Sequence, residues 1–324
     1  MKRVIKPEKQ NVTGSTASST DAEWPLANLF DKHPRNWWQA SATNEATLRL
    51  KIDAGSSALA LFGTNADEVN CYITRDADEQ NIDINSAVDD SSGFVGIPLT
   101  GHNYVDGTFI YIYGTTNYNG TYTVEVGSTV DLILIDATYA AESFDGSEIV
   151  VEIQEQEEFD LQVVDDYLKF TTGEAVVYRQ FFMQYTYENE ACTANIELTS
   201  VVGSTVRAGS FIAGINYEIT APLLGMEETR EDFSVVQRTN NASRYTRKRN
   251  IIKKFSGEFY LNTDYDFPEF MSLYEYFGPD PFACLLADRD SRLFALYACF
   301  TQPPRGIYVD GEVNSVSFSI EEVI

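Results

Sequence analysis

The strongest constraint in this sequence is a two-residue beat. In "ATLRLKID" (46–53), Leu48, Leu50 and Ile52 alternate with Arg49, Lys51 and Asp53. That is the pattern of a strand with one face on a core and the other toward water. "ALALFG" (58–63) is a short continuous apolar run closed by the turn signal "GTNAD", and "VNCYITR" (69–75) alternates again. Aromatics make up 13% of the chain, with 19 Tyr and 20 Phe, which favours pleated, half-buried surfaces over helices. Short strands at this spacing predict a β-sandwich.

The rhythm changes over 93–150. "HNYVDGTFIYIYGTTNYNGTYTVEVGSTVDLILID" (102–136) reads as short strands joined by D-G, N-G and G-S turns. Strands this short and close-set predict a small barrel, inserted through a loop of the larger unit. Acidic stretches, "AVDDSSG" before and "EIQEQEEFD" after, suit exposed connections. Strands resume in 176–220 as the second half of the sandwich, whereas the small polar run "NVTGSTASSTDA" (11–22) reads as a loop or arm.

From about residue 221 the organisation differs. "RYTRKRNIIKKFSGEFYLN" (244–262) reads as a long hairpin-type strand with an apolar face of Ile251, Phe255 and Phe259. "DFPEFMSLYEYF" (266–277) is the clearest helix: Asp266 is placed to cap it and Pro268 sits in the first turn. Phe270, Leu273, Tyr274 and Phe277 recur at 3/4 spacing, and Gly278 stops it. With three more strands behind it, this part predicts an α+β domain. The expected organisation is a first sandwich half with an N-terminal arm over 1–91, an inserted barrel over 92–152, the second half over 153–220 and the α+β domain over 221–324.

A length of 324 residues and a formal charge of −26 bound the function. Such a charge argues against a general nucleic-acid or anionic-membrane binder. No run of about 20 apolar residues exists to span a bilayer, and no apolar stretch follows the basic start as in a signal peptide. Cys71, Cys192, Cys284 and Cys299 lack metal or redox spacing and read as buried free thiols.

The chemistry of catalysis is not evident either. His33 and His102 fall in different expected units, too few for a histidine metal site or a Ser-His-Asp triad. No nucleophile elbow, phosphate loop or metalloprotease helix occurs. The acidic clusters Asp76, Asp78, Glu79 and Asp83, and Asp264 with Asp266, do not follow a calcium-loop order; they read as a solvated loop and a helix cap. No catalytic residue, metal ligand or cofactor is expected.

Two features point to contacts. Arg244, Arg247, Lys248, Arg249, Lys253 and Lys254 form one basic island among only 23 Lys and Arg. It reads either as a solvated edge strand or as a subunit interface facing the acidic surface of an identical neighbour. In "NLFDKHPRNWWQAS" (28–41), Trp37 and Trp38 are adjacent. Neighbours on an extended segment point to opposite faces, so the two cannot both be buried on one side, and Trp37 or Trp38 is left to stack on a glycan or a partner.

Three stretches resemble tailed-bacteriophage virion proteins. "ANLFDKHPRNWWQAS…ATLRLKID" is similar to the opening of discoidin-type, galactose-binding-like sandwiches, with Lys32-His33 where that pattern has a small pair. Continued by "SALALFGTNADEVNCYIT", it also resembles phage structural proteins. "GHNYVDGTFIYIYGTTNYNGTYTV" resembles a small barrel module of phage virions, with Gly114, Asn119 and Gly120 at its turn positions. The order of strand, helix and strands after residue 244 is similar to the same structural proteins and, more loosely, to tail-ring proteins. The resemblance implies a non-enzymatic structural subunit of the tail, at its end, baseplate or collar. It would assemble in a host cytoplasm, form a ring with identical subunits and contact other tail proteins. The alternative it leaves open is a carbohydrate-binding module touching host-surface glycan.

Overall fold

A computed structural model of the chain describes residues 3–7, 10–31, 33, 36–160, 179–186, 190–200, 204–219, 223–233, 235–238, 244–247, 251–262, 266–286, 295–308 and 313–323. The protein is mainly β, with strands in several antiparallel sheets and a single α-helix among the described residues.

Two large sheets carry the architecture. The eight-stranded sheet runs in the order Gly120–Thr123, Phe109–Tyr113, Ile149–Asp160, Glu68–Arg75, Cys192–Thr199, Glu45–Ile52, Gln10–Ala17, with Gln80–Asn81 beside Ile149–Asp160. The ten-stranded sheet runs Arg179–Gln184, Ala58–Thr64, Ser210–Glu218, Arg3–Pro7, Phe282–Leu285, Ala295–Phe300, Val313–Glu322, Ile251–Asn262, Leu223–Asp232, with Arg305–Tyr308 also on Val313–Glu322. Their facing sides bury one core. Leu48, Leu50 and Ile52, Val69, Cys71 and Ile73, and Ala194, Ile196 and Leu198 come from the first sheet. Leu59, Leu61, Phe181, Met183 and Phe211 come from the second. The alternation of 46–53 decides this: each inward residue of Glu45–Ile52 is buried and each outward one is not. Each such aliphatic side chain contributes about 1.5–3 kcal/mol by leaving water.

The run Ala58–Thr64 does not alternate because both of its faces are covered. Ala58, Ala60 and Phe62 point away from the sandwich core into another cluster with Ile5, Phe182, Ile212, Ala283, Leu285 and Tyr297. The sheet rolls to close that cluster, and Phe62 stacks on Tyr297 at 5.4 Å.

Residues 82–150 have a core of their own, built from Ile82, Val95, Ile97, Leu99, Ile110, Ile112, Tyr118, Val124, Ile133, Ile135, Phe144 and Val150. A three-stranded sheet (Leu132–Ile135, Val95–Pro98, Val88–Asp89) lies on one side. The long strand Ile149–Asp160 couples this part to the sandwich: its start pairs with Phe109–Tyr113 and the rest with Glu68–Arg75.

Asp266–Phe277 is helical, and its apolar residues Phe270, Leu273 and Phe277 pack on Phe259, Phe282 and Phe300. Asp266 is the first helical residue rather than the cap ahead of it. Gly278 stops the helix at φ +54°, a left-handed conformation that glycine adopts without steric cost. The hydrogen-bonded ladder runs through the boundary expected near residue 221, because Arg3–Pro7 bridges Ser210–Glu218 to Phe282–Leu285.

One expectation is corrected here. Gln10–Ala17 is an edge strand on Glu45–Ile52, not a loop, with a register shift between Asn11 and Thr16. The sheet edge supplies the backbone partners, and the Ser15 and Ser18 hydroxyls accept from the amides of Lys51 and Thr47.

Candidate functional site

The tryptophan turn resolves into an inner and an outer layer. Trp38 opens Trp38–Thr43, is fully buried in the sandwich core and donates through Nε1 to Thr20 Oγ1 at 3.2 Å. It has no face free for a sugar, so of the two tryptophans only Trp37 keeps surface that could stack on one. Trp37 points the other way and is half-buried. One face stacks on Trp24 at 4.4 Å between centroids, and the Arg207 guanidinium lies 5.2 Å from its ring. Asp31 organises the turn as an acceptor, from the His33 amide and from Asn36 Nδ2, both at 2.8 Å. His33 itself is exposed.

The basic island divides. Lys254 pairs with Glu231 at 2.6 Å and Glu321 at 3.5 Å, and Lys253 lies 3.9 Å from Glu322. These two lysines therefore meet acidic groups of their own sheet before any neighbour. Arg244 and Arg247 lie on the short strand Arg244–Arg247, which pairs with Val235–Arg238. Lys248 and Arg249 lie outside the described residues.

The acidic cluster at 76–83 is likewise engaged. Lys51 bridges Asp76 (2.9 Å) and Glu79 (2.8 Å), Arg75 pairs with Asp78 (2.6 Å), and Asp83 accepts from the Thr100 amide and hydroxyl. Asp264 lies outside the described residues. No group of three or more His, Cys, Asp or Glu placed to hold a metal occurs among the described residues. Cys71, Cys192 and Cys284 are buried thiols outside any disulfide and Cys299 is half-buried. Burial pushes Cys192 up to about 11 and Cys284 up to about 12, so they stay protonated and unreactive. Among the described residues no helix is long and apolar enough to cross a membrane.

Sequence patterning gave no hint of a cleft that includes Arg49. It measures about 270 Å³ and lies on the outer face of the eight-stranded sheet. Thr16, Ala17, Ser18, Thr47 and Arg49 form one wall; Tyr111, Tyr113, Gly114 and Asn119 form the other. Arg49 anchors it. Its guanidinium lies 3.3 Å from the Tyr113 ring centroid, its Nε donates to Asn195 Oδ1 at 3.1 Å, and its Nη2 meets Glu79 at 3.1 Å. Tyr111 stands between Tyr72 (6.1 Å) and Tyr113 (6.4 Å). Burial, opposed in part by Arg49, holds the Tyr111 and Tyr113 hydroxyls well above the usual phenol range, so both remain neutral. Tyr72, pushed up to about 12 mainly by burial, donates to Glu197 at 3.4 Å. The alternation of 46–53 turned Arg49 and Lys51 away from the core, but no local signal told that Tyr113 would cover Arg49.

No protein-family model matches the chain, and no curated protein matches it either.

Proposed function

We propose that this chain is a non-enzymatic structural subunit of a tailed-phage virion, in the tail end, baseplate or collar region. Copies close a ring and connect the tube to appendages. In this reading 1–91 and 153–220 form a galactose-binding-like sandwich, 92–152 a small inserted barrel and 221–324 an α+β assembly domain. Three sequence stretches that resemble virion proteins support it.

The observation that carries the reading is the hairpin of Leu223–Asp232 and Ile251–Asn262. Its outer strand is the last of the ten-stranded sheet, and residues 225–233 are exposed throughout. An edge strand with one row of amides and carbonyls open is a template for another chain unless something restrains it. Here Glu227, Glu228, Arg230, Glu231 and Asp232 restrain it. Met226 within it and Phe233 just past its end are exposed, and Tyr260 and Ile307 are exposed on strands of the same sheet. Charged edges keep free copies apart, while apolar contacts reward a docking that closes.

The test reverses Arg247, Lys248 and Arg249 to Glu together. The folded variant is expected to be missing from assembled particles, and normal incorporation would refute the interface. Antibody to the purified chain is expected to label the tail of intact particles. Absence of the chain from dissolved particles would remove the virion reading altogether.

A further inference from the structure

We propose that the cleft between Arg49 and the Tyr111–Tyr113 strand binds one uncharged sugar unit, the end of a neutral glycan. This is independent of the assembly reading and of the tryptophan turn.

Charge is the first argument. Arg49 is matched by Glu79, and Lys51 by Asp76 and Glu79, so no cation is left over for a phosphate, sulfate or carboxylate. A chain with a net charge of −26 also repels anions as they approach. The lining then defines the occupant. Tyr113 offers aromatic carbon, whereas Thr16, Ser18, Thr47 and Asn119 offer hydroxyls and a carboxamide. A pyranose presents that mixture: C–H faces for rings and hydroxyls for polar partners. Ser18 Oγ already accepts from the Thr47 amide at 3.0 Å, which leaves its proton to donate outward.

Fit and rigidity agree. A cleft of about 270 Å³ lies just below the range of drug-sized pockets, which suits a single ring rather than a long chain segment. Arg49 is held by Asn195, Glu79 and the Tyr113 ring. Asn119 is held by Thr115, whose amide and hydroxyl donate to Oδ1 and whose carbonyl accepts from Nδ2. Groups fixed before binding lose little entropy on binding.

The test probes the full chain with an array of oligosaccharides ending in glucose, galactose, mannose, N-acetylglucosamine, glucuronic acid or sialic acid. Calorimetric titration of any hit follows. Binding is expected to one or more neutral ends and to neither acidic one. Tyr113→Ala should weaken it at least tenfold. Thr16→Arg closes the mouth from an exposed edge-strand position and should do the same without touching the core, which covers the case in which Tyr113→Ala fails to fold. Three results each overturn the proposal: no binding to any neutral sugar, preference for an acidic one, or a hit unchanged by Thr16→Arg.

Discussion

Trp24 and Trp37 stack with their ring centroids 4.4 Å apart and their planes 15° apart, directly outside the residue that plugs the sandwich. That residue, Trp38, has no exposed surface. The two adjacent tryptophans therefore do different things: one fills a core and its neighbour clamps the turn at 21–37 to the outside.

Trp38→Ala is expected to cost about 3–5 kcal/mol, the usual range for emptying a large aromatic site. Trp24→Ala removes a half-buried partner and should cost only about 0.5–1.5 kcal/mol beyond lost area. Denaturant melts of the two variants give the comparison. Equal losses would mean that Trp38 is not the core plug.

Patterns within one strand or helix were readable from the sequence; pairings between distant ones were not. Leu48, Leu50 and Ile52 alternate because one side of their strand meets the core, and Phe270, Leu273 and Phe277 recur because one helix face does. Arg3–Pro7 carries no comparable signal. Its partners, Gly214–Glu218 and Ala283–Leu285, lie more than 200 residues away, and a short basic segment looks the same free or paired. The cleft was hidden for a similar reason. Arg49 reads as a solvated residue until Tyr113, 64 positions on, covers it.

The bridging role of Arg3–Pro7 can be tested at Gly214. A Cβ there would collide with the Lys6 carbonyl oxygen and crowd Pro7 Cα. Backbone cannot yield as a side-chain tip can. Gly214→Ala should cost at least the 1–3 kcal/mol typical of overpacking. It should also raise hydrogen exchange in Arg3–Pro7 and Phe282–Leu285 together. An unchanged exchange pattern would refute the close approach.

His102 is buried, stacks on Tyr104 at 5.6 Å and offers two ring nitrogens with no hydrogen-bond partner among the described residues. Orphaned buried polar atoms cost about 1–3 kcal/mol each. His102→Phe keeps the stacked ring and removes both atoms, so stability should hold or rise. Thermal melts decide the matter. A lower melting temperature would show that the imidazole nitrogens are bonded in solution.

Stability should also fall as pH rises from mildly acidic values. Burial holds the carboxyls of Glu157, Glu197 and Glu322 above the ordinary range, with Lys253 only partly opposing it at Glu322. Between the unfolded Glu value, about 4.3, and those higher folded values, the native chain binds more protons than the unfolded one. In that window unfolding becomes easier with each step up in pH. Self-repulsion from a net charge of −26 acts in the same direction. Asp90 and Asp145 act oppositely: hydrogen bonds from Ser92 and Ser147 lower them, and what they add is lost only in stronger acid. The melting temperature is thus expected to be higher near about pH 5 than near about pH 8. Glu197→Gln, which keeps an acceptor for Tyr72, should narrow the gap. A melting temperature that climbs steadily from about pH 5 to about pH 8 would mean that these buried carboxyls are not what sets the slope.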